Sequence, residues 1–222
     1  MCNVAVIEFF IENVEIGEFE GKRILEVGSK YINGSVKRLI ERFMKPKEYI
    51  GVDIEPGRFV DVILPAERLV EYFKEESFDV VISTELLEHV RDWRLVVDNM
   101  KRVLKRGGYI YITTRSRGFP YHGYPYDFWR YELEDMVKIF SDFKIVCLKR
   151  DPSMPGVFIK ARKPEDWRPI KLSYIALYSM ILGKRVTKCP NMSDMPISRK
   201  TMLYLTLIIR YMKSRISILF LR

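Results

Sequence analysis

Four short runs rich in Val, Ile and Tyr, at Arg23 to Val27, Tyr49 to Ile54, Phe78 to Ile82 and Tyr109 to Thr113, are each followed by a turn signal, and helical patterns stand between them. That alternation constrains the chain more than any other feature, because successive βα units close into a parallel sheet joined by right-handed crossovers. Helices are predicted at Gly34 to Phe43, Ala66 to Phe73 and Trp93 to Leu104, the last stopped by the basic and glycine-rich end Lys105-Arg106-Gly107-Gly108. A helix near Leu133 to Phe140 and two strands, Lys144 to Leu148 and Val157 to Ala161, follow. Six strands are thus marked by pattern, and the α/β fold is expected to hold seven.

From Val4 to Val14 apolar residues recur at helical spacing and predict an amphipathic lead-in helix. Beyond Pro164 the pattern changes: Leu172 to Leu182 is mostly apolar, and Met202 to Leu221 is a longer apolar stretch carrying Arg210, Lys213 and Arg215. The expected organisation is a main domain over 1–163 and a basic, apolar helical extension over 164–222. Charge supports the division, since residues 1–163 hold 27 Lys or Arg against 26 Asp or Glu, whereas 164–222 hold 11 against 3. Such a tail attracts anionic partners. The first stretch is too short for a membrane span and the second is interrupted by charges where about 20 apolar residues are needed. The extension is expected to pack on the domain or mediate self-association, or to lie peripherally on an anionic membrane.

Cys2, Cys147 and Cys189 are few, odd in number and far apart, which suggests neither a disulfide framework nor a metal cluster. A reducing cytoplasm is the expected location, and the N-terminal segment lacks the basic start of a secretory signal. No ligand spacing such as H-E-x-x-H is present, and no metal is expected.

The chemistry concentrates at the first strand-to-helix turn, the edge where open parallel sheets bind ligands. Gly28 lets backbone approach a ligand closely, and Glu26 can reach a cationic or hydroxyl group there. Asp53 ends the second strand about 25 residues on, near the distance at which a carboxylate meets a ribose diol in nucleotide-binding units. Lys30 and Ile32 stand where a dinucleotide site would seek its later glycines, which disfavours a dehydrogenase.

The series Ile24-Leu25-Glu26-Val27-Gly28-Ser29, Gly51-Val52-Asp53-Ile54, Phe78-Asp79-Val80-Val81-Ile82-Ser83, Leu86-Leu87-Glu88-His89-Val90 and Val103-Leu104-Lys105-Arg106-Gly107-Gly108 resembles class I S-adenosylmethionine-dependent methyltransferases, most closely the type 11 methyltransferase-domain group, over roughly Gly21 to Lys163. The resemblance implies a Rossmann-like, mostly parallel sheet with helices on both faces, and S-adenosyl-L-methionine as cofactor. It implies that Glu26 and Gly28 contact the methionine part, Ser29 is a further cofactor-binding residue, Asp53 holds the ribose hydroxyls and Ile54 packs on adenine. Ala66 and Glu67 would flank the adenine edge, and Ser83 and Thr84 would approach the methionine part and the acceptor entrance. The chain departs from the family pattern in lacking the second and third loop glycines and in placing Pro65 where many relatives have an adenine-binding aspartate.

The segment Arg115 to Tyr131 follows the fifth strand and is the candidate acceptor lid. His122, with a reference pKa of about 6.5, is the candidate general base, and Arg115, Tyr121, Tyr124, Tyr126 and Arg130, with Asp127, are candidates to shape or charge the acceptor pocket. The competing reading is packing, with Asp127 capping the next helix and pairing with Arg130. The function expected is methyl transfer to an oxygen, nitrogen or carboxylate of a small or carrier-linked acceptor. A nucleic-acid methyltransferase or binding module on the same fold is the alternative, motivated by the basic tail and the aromatic loop.

Overall fold

The computed structural model describes residues 3–123, 126–202, 204, 205 and 208. Its centre is a seven-stranded sheet in the order β3-β2-β1-β4-β5-β8-β7, built from β1 (Arg23–Val27), β2 (Glu48–Asp53), β3 (Val62–Ile63), β4 (Phe78–Thr84), β5 (Leu104–Arg115), β7 (Lys144–Arg150) and β8 (Gly156–Arg162). The pairs from β3 through β5 are parallel, whereas β8 runs antiparallel to both β5 and β7. The sheet is therefore mostly parallel, as expected, and its order reverses between β1 and β4.

Alternate residues of the central strands feed two cores, as the period of two in an extended chain requires. Leu25, Val81, Ile110 and Ile112 face one side and pack with Trp93, Val96, Val97 and Met100 of α5 (Trp93–Val103). Ile24, Val80, Ile82 and Tyr111 face the other and pack with Val6, Phe9 and Phe10 of α1 (Val4–Asn13). Helices α2 (Ile16–Phe19) and α3 (Lys37–Met44) join α1 on that second face, and α4 (Leu69–Phe73) and α6 (Leu133–Ile139) lie with α5 on the first.

Several elements differ from the sequence expectation for local reasons. Helix α3 begins at Lys37 rather than Gly34, because the Ser35 hydroxyl accepts the Lys37 amide at 3.0 Å and holds the preceding residues in a turn. Ala66–Arg68 form a 3₁₀ turn before α4, with the Asn99 amide donating to the carbonyls of Ala66 and Glu67 at 3.1 and 2.6 Å. The end of α5 is no glycine stop: β5 already starts at Leu104, and the ladder with β4 jumps from Phe78–Leu104 to Val80–Tyr109. Gly107, at φ +73°, and Gly108 sit inside this irregularity, where the neighbouring carbonyls of Asp79 and Lys105 leave no room for a Cβ on Gly108.

The stretch Leu172 to Leu182 is not a helix. Leu177–Ser179 form β9, which pairs with β10 (Arg185–Val186) and with β6 (Trp129–Arg130) in a small antiparallel sheet. Its apolar residues Leu172, Ile175, Leu177 and Ile181 enter the main core, so tertiary packing decided a conformation that composition alone left open. Helical backbone appears only from Ile197 onward in this region, apart from the 3₁₀ turn Met192–Asp194, and most of the stretch Met202 to Leu221 lies outside the described residues. No helix among the described residues is long and apolar enough to cross a membrane.

Candidate functional site

Where the strand order reverses, the turn after β1 is tied to β2, since the amides of Gly28 and Ser29 both donate to the Val52 carbonyl at 2.8 and 3.0 Å. Gly28 adopts φ +81°, a conformation that strains any residue with a Cβ, and a Cβ there would also press on Leu86 at 3.1 Å. The backbone angle is what calls for a glycine, and the Leu86 contact adds to it.

Glu26, buried on β1, accepts a hydrogen bond from the Tyr49 hydroxyl at 2.9 Å. Burial pushes its pKa up to about 7, against the pull of Tyr49 and Lys37. A buried carboxyl of this kind favours ionisation once a cation is brought against it. Ser29 places a buried hydroxyl beside it on the chain, and that oxygen has no hydrogen-bond partner among the described residues.

Asp53, at the end of β2, accepts the amide of Lys30 at 3.1 Å and that of Glu55 at 3.2 Å. The path from Lys30 to Asn33 thus folds back onto Asp53 without the missing glycines, and the Tyr31 amide donates to the Arg58 carbonyl at 3.0 Å. Ile54, next in sequence, leaves 66% of its surface exposed, an apolar side chain open to a flat ligand. Ala66 is buried and Glu67 exposed at the start of the 3₁₀ turn. Ser83 and Thr84 are the last residues of β4, aligned with Ile112 and Thr113 of β5, and the Ser83 hydroxyl is buried with no partner among the described residues. Acidic, hydroxyl and apolar groups therefore share one sheet edge, the donor set that an ammonium, a diol and an aromatic base require.

The acceptor-loop residues divide differently. Arg115 is buried and spends its guanidinium on Glu85 and on Asp151, the latter at 3.1 Å. It links β5 to the β7–β8 turn and is not free to charge a pocket. Arg130 is wholly buried, paired with both oxygens of Asp127 and donating to the carbonyls of Phe119 and Pro120 at 3.3 and 3.0 Å. Of the packing alternative the pairing holds and the cap does not: Arg130 clamps the loop through Asp127, while the N-cap of α6 is Glu132, because Asp127 lies too far before the helix. Arg130 also borders a cavity of about 470 Å³ between this loop and the C-terminal segment, with Arg117, Tyr121, Tyr178 and Arg199 among its walls.

Tyr121 is nearly buried, Tyr126 is 63% exposed, and Tyr124 lies outside the described residues. Phe128, Trp129 and Tyr131 are buried in the main core and offer no platform on which a nucleic-acid base could stack. His122 has its Nδ1 3.2 Å from Asp127 and its Nε2 3.9 Å from Glu88. Glu85, Glu88 and His89 converge at this edge without a role assigned from sequence, because their partners Arg115, Thr114 and His122 come from distant segments. Glu85 holds φ +56° immediately after β4, and burial, helped by the Glu88 carboxylate, raises its pKa against the pull of Arg115.

Comparison with known proteins agrees with this geometry. Residues 25–112 match the family model described as a methyltransferase domain. A ubiquinone biosynthesis O-methyltransferase of Idiomarina loihiensis is 32% identical over 121 residues, 49% of this chain and 48% of the relative. One from Vibrio atlanticus is 29% identical over 111 residues, 45% of this chain and 46% of the relative. The chain spans about half the length of these curated relatives. Among solved structures, a complex of the Haloferax volcanii Trm112 methyltransferase activator with a methyltransferase superposes with a TM-score of 0.58 at 13% identity, covering 72% of this chain and 89% of that one. At that identity the likeness concerns the fold. Residues 25–112 thus match the methyltransferase-domain family, and the strand order and acidic switch-point edge just described agree with that likeness.

Proposed function

We propose that this protein transfers a methyl group from S-adenosylmethionine to an oxygen of a small or carrier-linked acceptor. The observation that carries the reading is the convergence of Glu26, the φ +81° turn at Gly28 and Asp53 on one edge at the strand-order switch. The names of the curated relatives favour an oxygen over a nitrogen or carboxylate. Bound S-adenosylmethionine supplies an electrophilic methyl carbon on a sulfonium.

Within this reading Glu26 meets the ammonium of the methionine part, and its ionisation is restored by that charge. The Ser29 hydroxyl and the turn at Gly28 accommodate the same moiety, Asp53 accepts from the ribose hydroxyls, and Ile54 covers one face of the adenine. Ala66 and Glu67 border the adenine edge with their amides and the Glu67 side chain, their carbonyls being engaged by Asn99. Ser83 and Thr84 stand where the methionine part borders the acceptor entrance. Methyl transfer is an in-line displacement, so the protein's main task is to hold acceptor oxygen, methyl carbon and sulfur in line and to exclude water.

Calorimetric titration with S-adenosylmethionine tests the assignment. The native chain is expected to give saturable heat, and Asp53→Ala to weaken binding by about tenfold to a hundredfold, the cost of about 1–3 kcal/mol for unpaired hydroxyls. Absence of heat with the native chain sinks the reading. An untargeted search for methylated products in cell extract then identifies the acceptor.

A further inference from the structure

Glu88, His89 and His122 form a cluster that the proposed cofactor contacts do not use. Glu88 lies in the 3₁₀ turn Leu87–His89 just past β4, fully buried. One carboxylate oxygen, Oε2, accepts from the Thr114 hydroxyl at 2.8 Å, and the Glu88 carbonyl accepts the Phe128 amide at 2.8 Å, so the turn is held from two sides. The other oxygen, Oε1, is buried and has no hydrogen-bond partner among the described residues. It faces two imidazoles: His89 Nε2 at 4.0 Å and His122 Nε2 at 3.9 Å.

Each imidazole is oriented through its other nitrogen. His89 Nδ1 meets the Tyr126 carbonyl, and His122 Nδ1 meets Asp127 Oδ2 at 3.2 Å. A carbonyl only accepts, and Asp127 already receives Arg130 on both oxygens and the His122 amide at 2.7 Å, so both Nδ1 atoms are the donors. In the neutral rings each Nε2 then carries a free lone pair, 3.9 to 4.0 Å from the orphaned carboxylate oxygen. Three electron-pair donors lie within 4.8 Å of one another around a point with no hydrogen to share.

We propose that Glu88, His89 and His122 bind a divalent transition-metal cation. Two imidazoles and one carboxylate suit zinc, iron(II), cobalt or manganese better than calcium or magnesium, which prefer oxygen sets. Bonds of about 2.0–2.2 Å bring ligand atoms to about 3.0–3.4 Å from one another, so closure by about 0.5–1.0 Å between carboxylate and imidazoles, and by at most about 1.4–1.8 Å across the set, seats the ion. The supports are those of a metal site: each histidine hands its second N–H to a carbonyl or a carboxylate, and Asp127 is itself clamped by Arg130. Glu85 is outside the set because its carboxylate is held by Arg115. Glu88 stands two residues beyond Leu86, whose side chain lies against the Gly28 turn, which puts the ion near the proposed cofactor site. Binding an ion and acting as general base exclude each other at His122, since both use the Nε2 lone pair.

The test is a cobalt(II) titration of the full chain after chelator treatment and dialysis, read by visible absorption and calorimetry, with zinc as competitor. One equivalent per chain is expected. His122→Ala, His89→Ala and Glu88→Gln each weaken binding tenfold or more, and Asp127→Asn weakens it by about tenfold to a hundredfold with no ligand removed. Far-ultraviolet circular dichroism identifies variants that have unfolded; His89→Ala, at a partly exposed position, is the variant least exposed to that outcome. No saturable binding by the native chain, or binding that survives in folded His89→Ala and His122→Ala, overturns the site. The inference stands on the cluster's own geometry. Heat with S-adenosylmethionine on the same samples keeps its failure distinct from failure of the methyltransferase reading.

Discussion

Glu26 is the residue whose environment says most about how the site works. Burial raises it to about 7, so the folded chain keeps a proton that the unfolded chain loses near the ordinary value of 4.5. The folded state therefore binds more protons between those values, and stability falls as pH rises from about 4.5 to about 7. Above that range the cost is on the order of 3 kcal/mol. Glu26→Gln is expected to melt at a higher temperature than the native chain at pH 8, with a much smaller difference at pH 5. A difference independent of pH contradicts the assignment. On the proposed function the same variant is expected to weaken S-adenosylmethionine binding, because a neutral amide gives up the ionic attraction to the ammonium. The placement of Glu26, Gly28 and Asp53 at one sheet edge was legible in the sequence, since a strand end fixes the position of its residues. Arg115 and Arg130, expected to shape or charge a pocket, are buried struts: Arg115 is spent on Glu85 and Asp151, and Arg130 holds Asp127, the pairing that the sequence offered as its alternative, while still bordering the cavity.

At the level of elements, the strands were readable and the irregular joins were not. Runs of β-branched and aromatic residues mark β1, β2, β4, β7 and β8 because these positions pack on pleated surfaces. Strand β3, only two residues long, carries no periodicity to detect. The jump in the β4–β5 ladder hides behind a sequence that resembles a helix stop, and what decides it is the close approach of the Asp79 carbonyl to Gly108. Helix α1 shows the other extreme: its spacing alone predicts an apolar face, and the structure seats Phe10 against Tyr111, ring centroids 5.2 Å apart, and Phe9 against Phe158 at the same distance. Phe10→Ala is expected to cost about 3–5 kcal/mol, read as a lower urea midpoint with an unchanged slope. A loss below about 1 kcal/mol would show that α1 is not part of the cooperative core.

For the whole molecule, the expected boundary at Lys163 can be tested directly. Trp167, Leu172, Ile175, Leu177, Ile181 and Met195 share one core with Trp129, Met136 and Phe140, and β9 pairs with β6. A chain ending at Lys163 bares that face, and it is expected to lose cooperative thermal unfolding and to bind a dye specific for exposed apolar surface. A sharp melt for that fragment would show that 1–163 is an independent domain. Local sequence determined the order of strands and helices, their alternating apolar faces and the acidic, glycine-bearing switch-point edge, because all of these follow from propensity and periodicity within a few residues. Only the tertiary structure decided that 172–182 forms a strand and turns rather than a helix, that two predicted pocket arginines are buried struts, and that Glu88 faces two histidines from separate segments. Each of those outcomes depends on which distant groups are brought within hydrogen-bonding reach in a medium where unpaired charge is costly, and no local pattern encodes that distance.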